Sequence, residues 1–146
     1  MKRLIIGFLA CWALAVVSAE ELNWMTDLPS ARTRAKAEKK LVMLDFTGSD
    51  WCGVCIRLNK EVFSTPEFVE YAKKSLIPVE VDFPVKKKQS NARKRANQAL
   101  ADKYHIEGYP TIIVLNPEGK KIGELNGYSG GGPKPFIAQL EKFKAK

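Results

Sequence analysis

Histidine and cysteine are scarce in this chain, with one His and three Cys among 146 residues. Metal centres draw on several such side chains at once. His105 and the single close pair Cys52 and Cys55 leave a four-ligand site short of donors, so neither a metal nor another cofactor is expected. After residue 17 no segment is apolar enough to span a membrane, which takes about 18 consecutive residues or more. Internal repeats are absent too. What is present, 45% hydrophobic residues in a chain of this length, describes one compact domain and excludes a disordered or collagenous chain.

The formal charge of +8 is unevenly spread. Lys2 and Arg3 supply two units, and the block Lys86–Arg95 (KKKQSNARKR) supplies six without one acidic residue. The remaining 16 basic residues balance the 16 acidic ones. The block has no interleaved aromatic residues to serve as stacking platforms, which argues against nucleic acid. Its ordinary reading is a solvated helix face, and its sharper one is docking to an acidic partner or an anionic surface.

Lys2 and Arg3 precede an uncharged, mostly apolar run from Leu4 to Val17, and Val17-Ser18-Ala19 stands before Glu20-Glu21. That order describes a secretory signal peptide over residues 1–19, cut after Ala19, with one domain over 20–146. An uncleaved anchor is the competing reading, and Cys11 lies too early in the run for a lipid-anchored start. The chain is thus expected to be exported, into the periplasm. Cys52 and Cys55 are then the only cysteines left. A bridge closing so small a loop restrains the unfolded chain little, so the pair points to chemistry before stability.

Pro29 marks the first turn of an exposed helix over residues 31–40. Leu41-Val42-Met43-Leu44-Asp45-Phe46 is a near-continuous apolar run, the pattern of a strand buried on both faces. Helical patterns follow over 55–63 and 65–74, with Ser64 to Glu67 matching a capping box. A second strand is expected over 77–83, and then a helix over 89–104 whose apolar side is Ala92, Ala96, Ala99, Leu100 and Tyr104. His105 ends that helix as a cap or surface residue. Residues 111–115 form a third buried strand. Asn116-Pro117-Glu118-Gly119 fits a type I turn leading into an antiparallel partner over 120–125, and Phe136, Leu140 and Phe143 face inward from a closing helix. The alternation describes an α/β fold with a mixed sheet.

Trp51-Cys52-Gly53-Val54-Cys55 lies where the first strand passes through Thr47-Gly48-Ser49-Asp50 into a helix. Unpaired N–H groups at a helix start favour an anion, so Cys52 should ionise more readily than a free cysteine and attack a disulfide. Cys55, one turn further on, is close enough to resolve the mixed disulfide.

The segment LVMLDFTGSDWCGVC, with GYPT at Gly108–Thr111 and a hairpin-helix ending, resembles the thioredoxin superfamily, and in particular its exported bacterial members. The resemblance runs over residues 41–143. It implies the thioredoxin fold, a mixed central sheet flanked by helices and ending in a β-hairpin and C-terminal helix. It implies Cys52 as nucleophile, Cys55 as resolving thiol and a redox disulfide between them. A cis Tyr109–Pro110 bond would shape a substrate groove with Trp51, Gly53 and Val54. Asp45 corresponds to the family carboxylate that exchanges protons with the resolving cysteine. Three positions depart from the pattern. Asp45 stands one residue further from Cys52 than usual, the companion lysine has no counterpart in Ile77–Asp82, and Val54 replaces a proline. Copper delivery on such a scaffold would need three residues between the cysteines.

The function these readings imply is a periplasmic thiol-disulfide oxidoreductase that reduces protein disulfides and is recharged by a membrane thiol donor. The alternatives are a disulfide isomerase or oxidase, or a binding module that keeps the fold without the chemistry.

Overall fold

A computed structural model describes residues 20–145. The expected signal peptide and cleavage point fall on residues outside those described. The fold is organised by β1 (Leu41–Thr47), every residue of which is buried. It pairs in parallel with β2 (Leu76–Asp82) and antiparallel with β3 (Thr111–Leu115), which pairs antiparallel with β4 (Lys121–Asn126). The strand order is β2-β1-β3-β4, a mixed sheet. Met25 adds a parallel bridge to Val79 at the outer edge of β2. The Pro78 carbonyl and Glu80 N–H both bond Met25, so the Pro78 ring replaces an N–H that would face this outer edge, where a ladder tolerates proline.

Alternate residues of β1 serve two cores. Val42, Leu44 and Phe46 pack with Ile77, Val79, Val81 and Ile113 beneath α1 (Leu28–Glu38) and α4 (Asn91–Tyr104). Leu41 and Met43 pack with Ile112 and Val114 beneath α2 (Gly53–Leu58), a π-helical turn at Asn59–Phe63, α3 (Pro66–Ser75) and α5 (Pro133–Lys144). Asp45 and Thr47 lie on this second face by the two-residue period of the strand.

Three expectations change in detail. The first helix starts earlier, at Leu28, capped by the Asp27 carboxylate, and it is exposed only on one side: Ala31 and Ala35 are fully buried, their small side chains letting the helix lie close on the sheet. In α4 the side turned inward is Asn97 and Ala101, with Leu100 and Tyr104 partly covered, while Ala92, Ala96 and Ala99 are exposed. The Asn97 amide donates to the Asp82 carbonyl at 2.9 Å, so a polar contact at the end of β2 sets the helix rotation that apolar periodicity had assigned to alanines. The cap of α3 is Thr65 and not Ser64, because Pro66 takes the first helical position, where its missing N–H costs nothing. The Asn116–Gly119 turn forms as read, with Gly119 N–H bonding the Asn116 carbonyl at 2.9 Å; Gly119 has φ +89° and a Cβ there would strike Arg32.

Phe68 is fully buried among Phe63 and Phe136, at centroid distances of 5.2 and 5.8 Å. Phe68→Ala should therefore cost about 3–5 kcal/mol of stability, read from a denaturant midpoint, and a loss under 1 kcal/mol would contradict this core.

Candidate active site

Four successive residues after β1 are fixed by hydrogen bonds before the cysteines are reached. The Gly48 carbonyl accepts from Cys52 N–H at 2.8 Å, closing the turn. Ser49 donates through its N–H and its hydroxyl to the Asp82 carboxylate at 2.9 and 2.6 Å. The Asp50 carboxylate accepts from the backbone N–H groups of Val85, Lys86 and Lys87 at 2.9, 2.8 and 2.7 Å, and these bonds hold its carboxyl below the usual range. Trp51 Nε1 donates to the Phe83 carbonyl at 2.8 Å. The residue by which Asp45 is further from Cys52 than the pattern allows sits within this turn, whose side chains at Ser49, Asp50 and Trp51 bond the end of β2 and the segment after it. Gly48 is required by contact, since a Cβ would lie 2.4 Å from the Trp51 ring.

Cys52 caps α2, and its Sγ accepts from Cys55 N–H at 3.2 Å. The two cysteines form a disulfide with Cα atoms 5.2 Å apart, and both are buried. From the opposite side, the antiparallel course of β3 returns Tyr109 and Pro110 to the end of the sheet where β1 runs into the cysteine turn. The Tyr109–Pro110 peptide is cis, and the Tyr109 carbonyl oxygen lies 3.8 Å from Cys52 Sγ. Tyr109 packs edge-on against Trp51 and at a tilt against Phe83. Gly53 and Val54 are both exposed on the surface, and a Cβ at Gly53 would meet nothing within 4 Å. Trp51, Val54, Ile56 and Val85 are the large apolar side chains left exposed among the described residues, Val85 at 74%. Three belong to the cysteine motif or the residue after it, and the fourth to the segment clamped by Asp50.

Asp45 is 6% exposed, and its Oδ1 has no hydrogen-bond partner among the described residues. It lines a cavity of about 520 Å³ together with Cys55, Thr47, Ser49, Glu80 and Lys87. Burial, reinforced by the charges of Glu80 and Asp82, pushes the Asp45 carboxyl up to about 8. Near neutral pH the oxidised protein therefore holds this carboxyl in its protonated form, beside Cys55.

The basic block is divided. Lys86, Lys87 and Lys88 lie in the clamped segment, whereas Arg93, Lys94 and Arg95 occupy the first turns of α4 behind the Ser90 cap. Arg93 spends its guanidinium on the Thr26 carbonyl. His105, exposed, closes α4 in a left-handed conformation with φ 54°. Sequence reasoning missed Gly48, Ser49, Asp50, Phe83 and Val85 as parts of the site. Their only signal is a polar, glycine-containing turn beside a cysteine pair, which does not name its partners 30 residues away.

The family model of the thioredoxin-like domain matches residues 28–144. Among curated proteins, the disulfide bond reductase DsbH of Chlamydia pneumoniae is 32% identical over 125 residues, covering 86% of this chain and 74% of its own. The thioredoxin-related protein DsbJ of the same organism is 28% identical over 110 residues, and the match spans 75% of this chain but only 32% of that longer protein. Among solved structures, a DsbH oxidoreductase superposes with a TM-score of 0.79 at 30% identity, covering 91% of each chain.

A carboxyl that keeps its proton to higher pH when folded than when unfolded stabilises the fold at low pH. That contribution is full below about pH 4 and is lost as pH rises to about 8, at up to about 1.4 kcal/mol per unit. Asp45→Asn removes this slope. Calorimetry of the oxidised proteins should show the variant melting above wild type at pH 8 and the gap closing toward pH 5; parallel curves would contradict the buried carboxyl.

Proposed function

We propose, for a chain that belongs to the thioredoxin-like domain family and is a thiol-disulfide oxidoreductase of the thioredoxin type, that it works in the periplasm and reduces protein disulfides. The observation that carries this reading is the seat of Cys52. Its sulfur sits at a helix start, 3.2 Å from the Cys55 N–H, with the Tyr109 carbonyl and cis Pro110 across from it. An N–H aimed at sulfur favours the thiolate once the pair is reduced.

In the cycle this supports, the Cys52 thiolate attacks one sulfur of a substrate disulfide. The substrate S–S bond breaks, one substrate sulfur leaves as thiolate, and a Cys52–substrate disulfide forms. Asp45 first gives up its own proton to solvent and, as a carboxylate, takes the proton of Cys55, whose thiolate attacks the Cys52 sulfur; the substrate leaves with its second sulfur reduced, and the internal disulfide remains. Two electrons have passed to the substrate. Trp51, Gly53, Val54, Tyr109 and Pro110 frame the groove, where the half-buried Tyr109 carries a backbone carbonyl beside the reacting sulfur. The name of the similar Chlamydia pneumoniae reductase supports the reducing direction, and the leader read over residues 1–19 supports export. Reduction outside the cytoplasm consumes dithiol, so a thiol donor in the membrane must restore it.

The Asp50 clamp supports a docking role for the basic segment, because it sets Lys86, Lys88 and exposed Val85 beside the cysteine turn. The partner that fits is a protein with acidic residues flanking its disulfide.

Cys55→Ser tests the cycle: the variant should accumulate mixed disulfides through Cys52 that dithiothreitol releases, and no such adducts would leave only a binding module. Neutralising Lys86, Lys88, Lys94 and Arg95 to Gln should slow reduction of an acidic protein substrate about tenfold at low salt and leave a small neutral disulfide untouched. Equal slowing of both substrates would remove the docking role.

A further inference from the structure

The cavity behind Cys55 holds more acid than one proton transfer uses. Asp45 and Glu80 are register partners on neighbouring parallel strands, so their side chains leave the same face of the sheet. Both line the cavity with Cys55. Asp82, two residues along β2, is occupied by Ser49, and Glu20 and Glu21 line the cavity on the N-terminal side. Against these carboxylates the lining contains a single cation among the described residues, Lys87. It is held at two points: its N–H bonds Asp50 at 2.7 Å and its Nζ donates to Ser49 Oγ at 3.1 Å. Glu80 is partly exposed, whereas Asp45 is buried with Oδ1 unpartnered. The space between is polar and large enough for water.

We infer that Glu80 is the relay through which Asp45 exchanges its proton with solvent, and that Lys87 is the positioning residue that keeps Glu80 ionised for that task. The inference rests on the reading of Asp45 as the proton partner of Cys55. When a donor thiolate attacks Cys52, the internal disulfide breaks and Cys55 leaves as a thiolate. The Asp45 carboxyl gives it a proton and becomes a carboxylate facing Glu80 across one strand spacing. A proton from solvent, taken up by Glu80 and passed through cavity water, restores the Asp45 carboxyl. In the reducing half-cycle the same proton leaves by the reverse route. Burial raises the Glu80 carboxyl and Asp82 adds to this, while Lys87 opposes both. Glu80 in turn raises Asp45. Glu80 is therefore coupled to Asp45 and to Lys87 with known signs. Removing the Glu80 charge lowers the Asp45 midpoint, and removing the Lys87 charge raises the Glu80 midpoint. The companion lysine missing from the β2 strand is thus replaced in part by a lysine delivered from the following loop.

The test follows Asp45 and Glu80 directly, by carboxyl carbon NMR of the oxidised full chain, alongside the pH profile of turnover with a thiol donor. In Glu80→Gln the Asp45 midpoint should fall by about one unit, and turnover should drop about tenfold for want of the relay. Glu80→Asp should restore turnover to within about twofold, a rescue that a packing defect would not show. In Lys87→Met the Glu80 midpoint should move upward, and Lys87→Arg should hold it near wild type. Circular dichroism identifies any variant that fails to fold, and the remaining conservative pair then carries the test. An unchanged Asp45 midpoint in Glu80→Gln, or a Glu80 midpoint that fails to rise in Lys87→Met, overturns the relay. If the wild type itself does not cycle its disulfide, the reading beneath fails first, and the two failures are told apart by that control.

Discussion

Burial of β1 on both faces is the constraint from which the rest of this molecule follows. A strand with all seven residues out of water has to be covered by helices on each side, and the two cores do so. The same burial makes one carboxyl within it expensive to ionise. Asp45 answers by keeping its proton, and it lies against the cavity that Cys55 also borders. Core and chemistry therefore share a strand. The register that buries Val42, Leu44 and Phe46 on one face is the register that turns Asp45 toward the cysteines on the other.

The second organising feature is the clamp between the cysteine turn and the segment after β2. Ser49, Asp50 and Trp51 each bond a residue from Asp82 to Lys87, so the cysteine pair is mounted on two strands and not on a loop alone. This mounting explains how the turn holds an additional residue without losing its shape. It also fixes the position of Val85 and the lysines around it, which would otherwise be a mobile surface run. A rigid support close to the reacting atoms is what positions a nucleophile for a defined encounter.

Much of this was legible along the chain. The near-continuous apolar run over residues 41–46 identified the buried strand, the short CxxC spacing identified the redox pair, and Asn116-Pro117-Glu118-Gly119 identified the hairpin, because each signal is local and has one dominant physical reading. The helix over 91–104 was legible as a helix but not in its orientation. Its rotation depends on Asn97 reaching a carbonyl on β2, a contact between residues 15 apart that no periodicity encodes. Likewise Asp50 reads as an ordinary turn aspartate until three N–H groups from a distant segment converge on it.

The sequence by itself determined the element types, the buried strand, the dithiol and the charge distribution, since these depend on composition, spacing and local backbone preference. Tertiary structure alone decided what surrounds them. It brought the Tyr109 carbonyl against Cys52, set Glu80 beside Asp45 across the parallel ladder, and turned Lys87 from one charge in a basic run into the cation of the cavity behind Cys55. The physical reason is that burial and electrostatic coupling are properties of groups close in space. Strand pairing and a loop clamp choose those neighbours from far along the chain.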